Sequence, residues 1–389
     1  MVERILKEVS IFEKSNETLP LSKFFNFMNE YLHKKKKIFI TGILGQDGAN
    51  MAEYLLSHES DARSLACEEQ LEVYGMMRRT SNVNKSNIEA FEDDPNFNLV
   101  YGDLTDSVSI NNLVKEILPD YFINFGANSF VGCSWDMPLQ VFDVNTLGVI
   151  RCLEAIRKFN PDCRFYSAGS SEEFGDVEYS PQDIKHPIRA RSPYGASKAA
   201  SRHLVKVYRE SYDMYAIHGI LFNHEGLRRG EEFVTRKITK AVARIKQALD
   251  NKEEFEPLQL GNIKAKRDWS DAEDFVKAVW LMLNQEEPKE YVLSSNETHS
   301  VKEFVSLAFK YAGVSGSWNG EGMDEKFKVH DGDAAVLAET IKEFYRPAEV
   351  QLLYGDSNPI REELGWKPEI SFDKLVQRMV QNDLDLLNK

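Results

Sequence analysis

KIFITGILGQDGAN, residues 37–50, is the stretch that decides the fold. Its apolar run, Ile38 to Ile40, predicts a short buried strand, and the apolar spacing after residue 50 predicts an amphipathic helix. Between them the chain carries three glycines at GxxGxxG spacing: Gly42, Gly45 and Gly48. Glycines in this pattern permit a tight turn, a close approach to a pyrophosphate, and packing of the helix on the strand. The stretch therefore predicts a dinucleotide-binding strand–turn–helix unit, with backbone N–H groups facing the anion.

Composition limits the classes of protein to consider. The chain has 389 residues, 42% of them hydrophobic, which predicts one large α/β unit with a smaller lobe. A net charge of −14 argues against nucleic-acid binding, since phosphate would be repelled by the molecule as a whole. The four cysteines form no CxxC pair, which favours reduced thiols in a cytoplasmic protein over disulfides or a metal site. The longest apolar run is too short to predict a membrane span.

The pattern that follows the glycine turn alternates strands with helices. It predicts strands at 72–77, 98–101, 121–127 and 164–168, and helices at 107–117 and 145–159. This alternation is typical of a Rossmann-like, doubly wound parallel sheet, whose ligands bind at the carboxyl ends of the strands. From residue 223 the pattern becomes mixed and predicts a smaller mixed α/β lobe. Turn residues at 315–322 and 355–359 predict loops over a substrate cleft.

Two positions at predicted strand ends bear on the cofactor. Arg78 and Arg79 follow the second strand, where an NAD-binding fold places an acid and where arginine favours the 2′-phosphate of NADP. The alternative is two ordinary surface arginines. Asp103 follows the third strand and is placed to accept from the adenine amino group, and a turn or capping aspartate is an equal alternative.

The sequence SPYGASK, residues 192–198, carries a tyrosine and a lysine four positions apart, so a helix places both on one face. A cationic Lys198, with the positive charge of a nicotinamide, would lower the pKa of the Tyr194 phenol from about 10. The tyrosine could then accept a proton from a sugar hydroxyl. A core tyrosine with a surface lysine is the bland alternative, and the glycine-rich turn and the sequence SSE after the fifth strand weigh against it.

These motifs together resemble those of the extended short-chain dehydrogenase/reductase family, and within it the GDP-mannose 4,6-dehydratase branch. The resemblance covers nearly everything from residue 37 to the end of the chain, with only residues 1–36 and an insertion at 59–70 outside it. It is carried by TGILGQDG (41–48), RRTSNVN (78–84), YGDLTDS (101–107), NFGANS (124–129), SSEEFG (170–175), SPYGASK (192–198), LFNHEGLRRGEEFVTRKI (221–238), LGNIKAKRDW (260–269) and YRPAEV (345–350). It implies an NADP-binding Rossmann domain at 37–222 and an interwoven nucleotide-sugar-binding lobe at 223–389. The apolar spacing within residues 1–36, which lie outside the resemblance, predicts an N-terminal helical extension.

The resemblance also implies a reaction and a set of site residues. The sugar is oxidised at C4 through NADP, loses water across C5 and C6, and is reduced at C6. The implied catalytic residues are Ser170, Ser171, Glu172, Tyr194 and Lys198. The implied NADP site is Gly42, Ile43, Leu44, Gly45, Gln46, Asp47, Gly48, Arg78, Arg79, Thr80, Ser81, Asp103, Leu104, Phe125, Gly126, Ala127, Asn128, Ser129, Tyr194, Lys198, His224 and Arg229. The implied substrate site is Asn223, Val234, Lys237, Arg267, Arg346 and Glu349, in which arginine can bind a diphosphate in bidentate fashion.

Glu172 separates the possible functions. A dehydratase needs a base at C5, whereas an NADP-dependent nucleotide-sugar epimerase or reductase does not, and there Glu172 would cap a turn or form a salt bridge. A non-catalytic NADP-binding scaffold is a third hypothesis. GDP-mannose is the first expectation for the substrate, with a GDP-manno-heptose as the alternative, since Phe130 stands where relatives usually carry histidine. The resemblance implies a homodimer or homotetramer.

Overall fold

The computed structural model describes residues 35–57, 70–330, 335–344 and 352–388. Most of the proposed extension, at 1–34, and the predicted site residues Arg346 and Glu349 lie outside this part of the chain. The strands are β1 Lys36–Thr41, β2 Leu71–Met77, β3 Phe97–Tyr101, β4 Tyr121–Asn124, β5 Arg164–Ala168, β6 Ala216–Leu221, β7 Asn223–Glu225, β8 Leu258–Leu260, β9 Lys266–Arg267, β10 Trp269–Asp271, β11 Val292–Leu293, β12 His299–Ser300, β13 Gly316–Asn319, β14 Lys326–Val329, β15 Val336–Thr340 and β16 Leu352–Leu353. The helices are α1 Gln46–Leu56, α2 Ser107–Ile117, α3 Pro138–Phe142, α4 Gly148–Phe159, α5 Pro193–Tyr212, α6 Val234–Asn251, α7 Ala272–Leu283, α8 Val301–Tyr311, α9 Asn358–Leu364 and α10 Phe372–Leu387.

Seven parallel strands form the central sheet. Their order is β11-β6-β5-β4-β1-β2-β3, so the chain starts in the middle of the sheet and winds outward in both directions. The predicted doubly wound parallel sheet is confirmed. In this topology the order reverses beside β1, and the crevice for a ligand opens at the carboxyl ends of the strands there.

The side chains of the central strands are buried on both faces of the sheet. In β1, Ile38 and Ile40 enter one core cluster while Phe39 enters the other, as the two-residue period of a strand requires. Phe122 on β4 contacts a ring on each neighbouring strand: its centroid lies 4.8 Å from that of Phe39 on β1 and 5.6 Å from that of Phe165 on β5. The helices α1 and α7 cover the first face, and α2, α4 and α5 cover the second.

A second core lies in the part of the chain after residue 230. The strand order β13-β14-β15-β8 gives a four-stranded sheet, and α6, α8 and α10 contribute apolar residues such as Ile238, Phe304 and Met379 to one cluster with it. The helix α7 and the strand β11 belong instead to the seven-stranded layer, although they follow residue 223. The division into domains at 37–222 and 223–389 remains a proposal.

Two predictions about local structure were wrong. The fourth strand ends at Asn124 rather than at residue 127, because the Gly126 N–H donates to Thr41 Oγ1 and the chain turns away from the sheet there. Residues 316–319 form β13 rather than a loop, and neither 315–322 nor 355–359 lines the cleft. Trp318 explains the strand, since its ring lies 5.3 Å from that of Phe327 and its indole N–H donates to Ser306 Oγ. No helix in the described ranges is long and apolar enough to cross a membrane.

Candidate active site

A cleft of about 860 Å³ opens along the carboxyl ends of the central strands. Segments that follow β1 to β6 line one side, and residues of β7, α6 and β9 line the other. The cleft therefore lies where the topology of a doubly wound sheet places ligands. Gln46 Oε1 and Asn223 Oδ1, both from lining residues, are buried and have no hydrogen-bond partner among the described residues. Buried acceptors of this kind are available to a bound ligand.

The structure brings most of the predicted site residues together in this cleft. Those that line it are Gly42, Ile43, Leu44, Gly45, Gln46, Asp47, Gly48, Arg78, Thr80, Asp103, Leu104, Phe125, Gly126, Ala127, Asn128, Ser129, Ser170, Ser171, Glu172, Tyr194, Lys198, Asn223, His224, Arg229, Val234, Lys237 and Arg267. Arg79 and Ser81 are exposed and are not among the lining residues. Arg78 and Thr80, from the same segment after β2, do line the cleft.

The glycine turn forms a cradle with no room for side chains. Gly42 has a φ of +73°, and a Cβ on it would lie 2.8 Å from the backbone nitrogen of Gly126. A Cβ on Gly48 would lie 2.3 Å from the carbonyl oxygen of Gly42. Gly45 caps the N-terminus of α1 without a side chain, which leaves the backbone amides of the first turn accessible. These features fit the pyrophosphate of a dinucleotide.

An ion pair ties this turn to β7. Asp47 Oδ2 lies 3.0 Å from His224 Nε2, and Gln46 Nε2 donates to the His224 carbonyl. Burial raises the pKa of Asp47, but the neighbouring His224 and Arg229 outweigh it, so the pKa of the carboxyl falls below 3.8. Burial lowers the pKa of His224, and Asp47 outweighs it, so that pKa rises above 6.5. Asp47 and His224 thus stabilise each other's charged forms beside the cofactor turn.

Tyr194 and Lys198 lie on one face of α5, as predicted. Ser192 caps this helix by accepting from the Gly195 N–H, and Pro193 occupies its first turn. Lys198 Nζ donates to the Ala168 carbonyl at 2.7 Å and lies 5.9 Å from the centroid of the Tyr194 ring. Burial lowers the pKa of Lys198 to about 8. Burial raises the pKa of Tyr194, and a hydrogen bond with the Ser170 side chain opposes that rise.

The segment after β5 presents two adjacent glutamates in opposite directions. Residues Ser171–Glu173 form one 3₁₀ turn capped by Ser170. Glu172 lines the cleft, whereas Glu173 is fully buried and lines no part of it. The sequence alone could not separate the two carboxylates. The turn separates them, because successive positions of a 3₁₀ turn point in different directions.

Cations and aromatic rings line the end of the cleft that is bordered by β7, α6 and the segment between them. The Arg229 guanidinium lies 3.5 Å from the centroid of the Phe233 ring, and its Nε lies 2.8 Å from Glu225 Oε2. Lys237 Nζ lies 3.7 Å from the centroid of the Phe344 ring, and burial lowers its pKa. These contacts hold positive charge where a sugar diphosphate could be bound.

Sequence reasoning missed other lining residues. Asn82, Asn84 and Asn87 lie in the loop after β2, where Asn87 Nδ2 donates to the Leu44 carbonyl. The polar run directly after a buried strand could have indicated these asparagines, because ligands bind at the ends of such strands. Phe233 was also missed: its ring centroid lies 6.0 Å from that of Phe130, which the resemblance had already singled out, in an edge-to-face arrangement. No periodicity connects two rings so far apart in the sequence.

Comparisons with known proteins found similar sequences and similar folds. A family model described as GDP-mannose 4,6 dehydratase matches residues 39–379. The GDP-mannose 4,6 dehydratase of Drosophila melanogaster is 41% identical over 364 residues, which cover 92% of this chain and 88% of the relative. GDP-mannose 4,6 dehydratase 1 of Arabidopsis thaliana is 41% identical over 378 residues, 95% of each chain. Among solved structures, the dTDP-glucose 4,6-dehydratase DesIV of Streptomyces venezuelae shares the fold, with a TM-score of 0.73, 20% identity, and coverage of 89% of this chain and 96% of that one.

Proposed function

The chain belongs to the GDP-mannose 4,6-dehydratase family, and on that premise we propose that it is a hydro-lyase. It converts a GDP-hexose, first of all GDP-mannose, to the 4-keto-6-deoxy sugar. The single observation that carries this proposal is the convergence of Tyr194, Lys198, Ser170 and Glu172 on one cleft beside the glycine cradle. A hydroxyl pair, a cation and a carboxylate at one place suit a reaction that moves protons at two neighbouring sugar carbons.

NADP is the cofactor that we propose for the cradle. Gly42 and Gly48 allow the tight turn and the close packing of α1, Gly45 leaves room for the pyrophosphate, and Arg78 lines the cleft where the 2′-phosphate of an adenosine ribose would lie. When bound, NADP supplies a reversible two-electron acceptor for the sugar. The exposed Arg79 and Ser81 are not lining residues, so we assign the 2′-phosphate to Arg78 and Thr80.

Tyr194 is the proposed base at the sugar O4. Its pKa is raised by burial in the protein alone, so it needs a cation to become a phenolate. Lys198 supplies one on the same helix face, and Ser170 supplies a hydrogen bond to the phenol oxygen. Because the pKa of Lys198 is about 8, this cation is present at neutral pH and is lost under alkaline conditions.

Glu172 is the proposed base at C5. Once C4 carries a ketone, the C5 proton is acidic, and the Glu172 carboxylate can remove it. The carboxylic acid so formed can give a proton to the C6 hydroxyl, which leaves as water and leaves a C5–C6 double bond. The hydride taken from C4 then adds to C6. A proton then returns to C5 from the solvent-exchangeable pool. Of the two adjacent glutamates Glu172 is the one that lines the cleft, which supports this assignment.

The nucleotide sugar is proposed to lie at the cationic end of the cleft. Asn223, Val234, Lys237 and Arg267 line this end, and the last two can neutralise a diphosphate. Arg346 and Glu349, outside the described residues, complete the proposed site. A GDP-manno-heptose is the second candidate, since Phe130 and Phe233 form an apolar wall that could face an additional carbon.

We also propose that the chain acts as a homodimer or homotetramer. Apolar side chains are exposed on α3, on the segment before it and at the end of α5, among them Trp135 (48%), Leu139 (86%) and Tyr212 (50%). A surface of this kind is typical of an interface between subunits. The proposed location is the cytoplasm, from the reduced cysteines that the sequence predicts.

The experiment that tests this proposal is incubation of the purified protein with NADP⁺ and GDP-mannose in deuterated water, followed by mass spectrometry. Loss of one water with one deuterium retained at C5 is the expected result. Glu172→Gln should abolish water loss and leave NADP binding intact, because only the base at C5 is removed. Water loss only from a GDP-heptose would change the substrate. Epimerisation or reduction without water loss, or binding without turnover, would contradict the proposal.

A further inference from the structure

Glu173, the buried neighbour of the proposed base Glu172, makes polar contacts that a side chain which only fills space in the core would not need. Glu173 and His218 both have no exposed surface. Glu173 Oε1 accepts two hydrogen bonds, one from the Ser170 backbone N–H at 2.8 Å and one from His218 Nε2 at 2.9 Å. Glu173 Oε2 and His218 Nδ1 have no partner in the described part of the chain. Burying such groups costs free energy that an apolar residue of similar size would not cost.

The surrounding backbone is shaped to hold this pair. The Gly169 N–H donates to the Gly219 carbonyl at 2.7 Å, and a Cβ on Gly169 would lie 2.2 Å from His218 Nε2. The imidazole is therefore confined between the end of β5 and the 3₁₀ turn. Its ring nitrogen can reach the Glu173 carboxylate only because residue 169 has no side chain.

The carboxylate acts on the residues that line the cleft through Ser170. Its bond to the Ser170 N–H fixes the backbone at the start of the turn. The Ser170 hydroxyl in turn accepts from the Glu172 N–H at 3.2 Å and makes the hydrogen bond with Tyr194. One buried carboxylate thus sets the position of both groups that the proposed reaction needs on this side of the sugar.

We propose that Glu173, held by His218, is a positioning residue for the catalytic turn. It aims the Ser170 hydroxyl at Tyr194 and the Glu172 carboxylate into the cleft, and its role in turnover rests on the proposed function. The carboxylate also opposes, by its charge, the effect of burial that lowers the pKa of Lys198. Misplacement of a reacting group by about 1 Å can cost on the order of 10²-fold in rate.

Three variants separate positioning from a purely structural role. Glu173→Gln keeps an oxygen for both hydrogen bonds and removes the charge. Glu173→Leu removes the acceptor and leaves His218 and the Ser170 N–H unpaired. Combining Glu173→Leu with His218→Leu also removes the unpaired imidazole and leaves only the Ser170 N–H without its acceptor, which should restore most of the stability lost in Glu173→Leu. Glu178→Gln, at an exposed acid of the segment that follows, is the matched control.

The measurements are the melting temperature, kcat and KM, and the rate of deuterium uptake by the peptide 169–174 with NADP bound. For the double variant we expect a melting temperature near that of the wild type, a kcat lowered on the order of 10²-fold, an unchanged KM, and faster deuterium uptake. For Glu173→Gln we expect a kcat within about tenfold of that of the wild type, because weakening one hydrogen bond changes a rate by about that factor.

Two results would overturn the inference independently. One is a double variant with wild-type kcat and wild-type deuterium uptake, since the pair would then only fill space. The other is a folded Glu173→Gln whose kcat is as low as that of Glu173→Leu. The glutamine keeps the oxygen that accepts both hydrogen bonds, so these bonds would not then explain the loss. Deuterium uptake does not require turnover. If the wild type makes no product but the double variant still loosens 169–174, the proposed function fails and the positioning role stands.

Discussion

Glu172 and Glu173 are identical residues side by side, and their surroundings give them different chemistry. The first lines the cleft, and the second is fully buried against an imidazole. Burial raises the pKa of Glu173, but His218 and the Ser170 N–H outweigh it, so the pKa lies below 4.5 and the carboxylate stays ionised. An ionised, inward-facing carboxylate suits a structural task, whereas a carboxylate that lines the cleft is available to a bound ligand.

The Asp47–His224 pair predicts a specific dependence of stability on pH. The raised pKa of His224 contributes stability that is fully present below 6.5 and is lost as pH rises through the higher folded value. The lowered pKa of Asp47 contributes stability that is present above 3.8 and is lost as pH falls through the lower folded value. Asp47→Asn should therefore destabilise the protein most between 3.8 and 6.5 and less at alkaline pH.

Melting temperatures of the wild type and Asp47→Asn, measured across this range, check that expectation. The matched control is Asp143→Asn, because Asp143 also forms an ion pair, with Arg151, and no histidine takes part in it. A constant difference between wild type and Asp47→Asn at every pH would show that the pair contributes no pH-dependent stability.

Arg78 and Arg79 offer a matched test of cofactor choice. Both are exposed, and only Arg78 lines the cleft. Arg78→Ala should weaken NADP binding by about 10- to 100-fold, the effect of losing a charge-assisted bond to phosphate, and leave NAD binding nearly unchanged. Arg79→Ala should change NADP affinity by no more than about twofold. Isothermal titration with both cofactors gives these values, and equal losses for NADP and NAD would refute the assignment.

At the scale of the element, two glycines in the turn between β1 and α1 are needed for different reasons: Gly48 for packing and Gly45 for cofactor binding. A Cβ at position 48 would clash with the Gly42 carbonyl at 2.3 Å, whereas one at position 45 would lie at 3.2 Å from the same oxygen. Gly48→Ala should cost about 1–3 kcal/mol of stability through overpacking. Gly45→Ala should melt close to the wild type and bind NADP more weakly, because its methyl group would face the pyrophosphate. Melting curves without cofactor, then titration with NADP, test both, and a Gly48→Ala that melts like the wild type would refute the steric argument.

The elements that the sequence predicted best have strong local signals at their ends. The bounds of β5 and α2 agree with the prediction, and α2 starts where Asp106 accepts from the Val108 and Ser109 N–H groups. The fourth strand was predicted too long because its end is set by Thr41, a residue of another strand. β13 was missed because its glycine, serine and asparagine indicate a turn, and only the packing of Trp318 makes it a strand.

In the site, too, features that depend on neighbouring residues could be predicted, and features that depend on contacts between distant residues could not. The glycine turn and the Tyr194–Lys198 pair were predictable, since each lies within a few consecutive residues. The contact of Phe130 with Phe233 and that of Lys237 with Phe344 were not, because each joins elements far apart in the sequence. The roles of Glu172 and Glu173 could be separated only by the direction in which the turn points each side chain.

At the scale of the whole molecule, the exposed apolar surface predicts self-association. Leu139 is 86% exposed on α3, which packs against α5, the helix that carries Tyr194. Leu139→Asp should raise the dissociation constant of the assembly by about 10- to 100-fold if this residue lies in the centre of the interface. Light scattering after size exclusion measures the mass of wild type and variant, and Leu386→Asp, at an exposed position of α10, is the control. A wild type that is monomeric at all concentrations would contradict the proposed assembly.

In the proposed reaction, one molecule of sugar is both oxidised and reduced within one active site. The most direct measurement uses GDP-mannose carrying deuterium at C4, with catalytic NADP⁺ in ordinary water, and locates the label in the product by NMR. Internal transfer predicts deuterium at C6 of the 4-keto-6-deoxy sugar. Deuterium retained at C4, or released to the solvent while C6 carries only hydrogen, would contradict it.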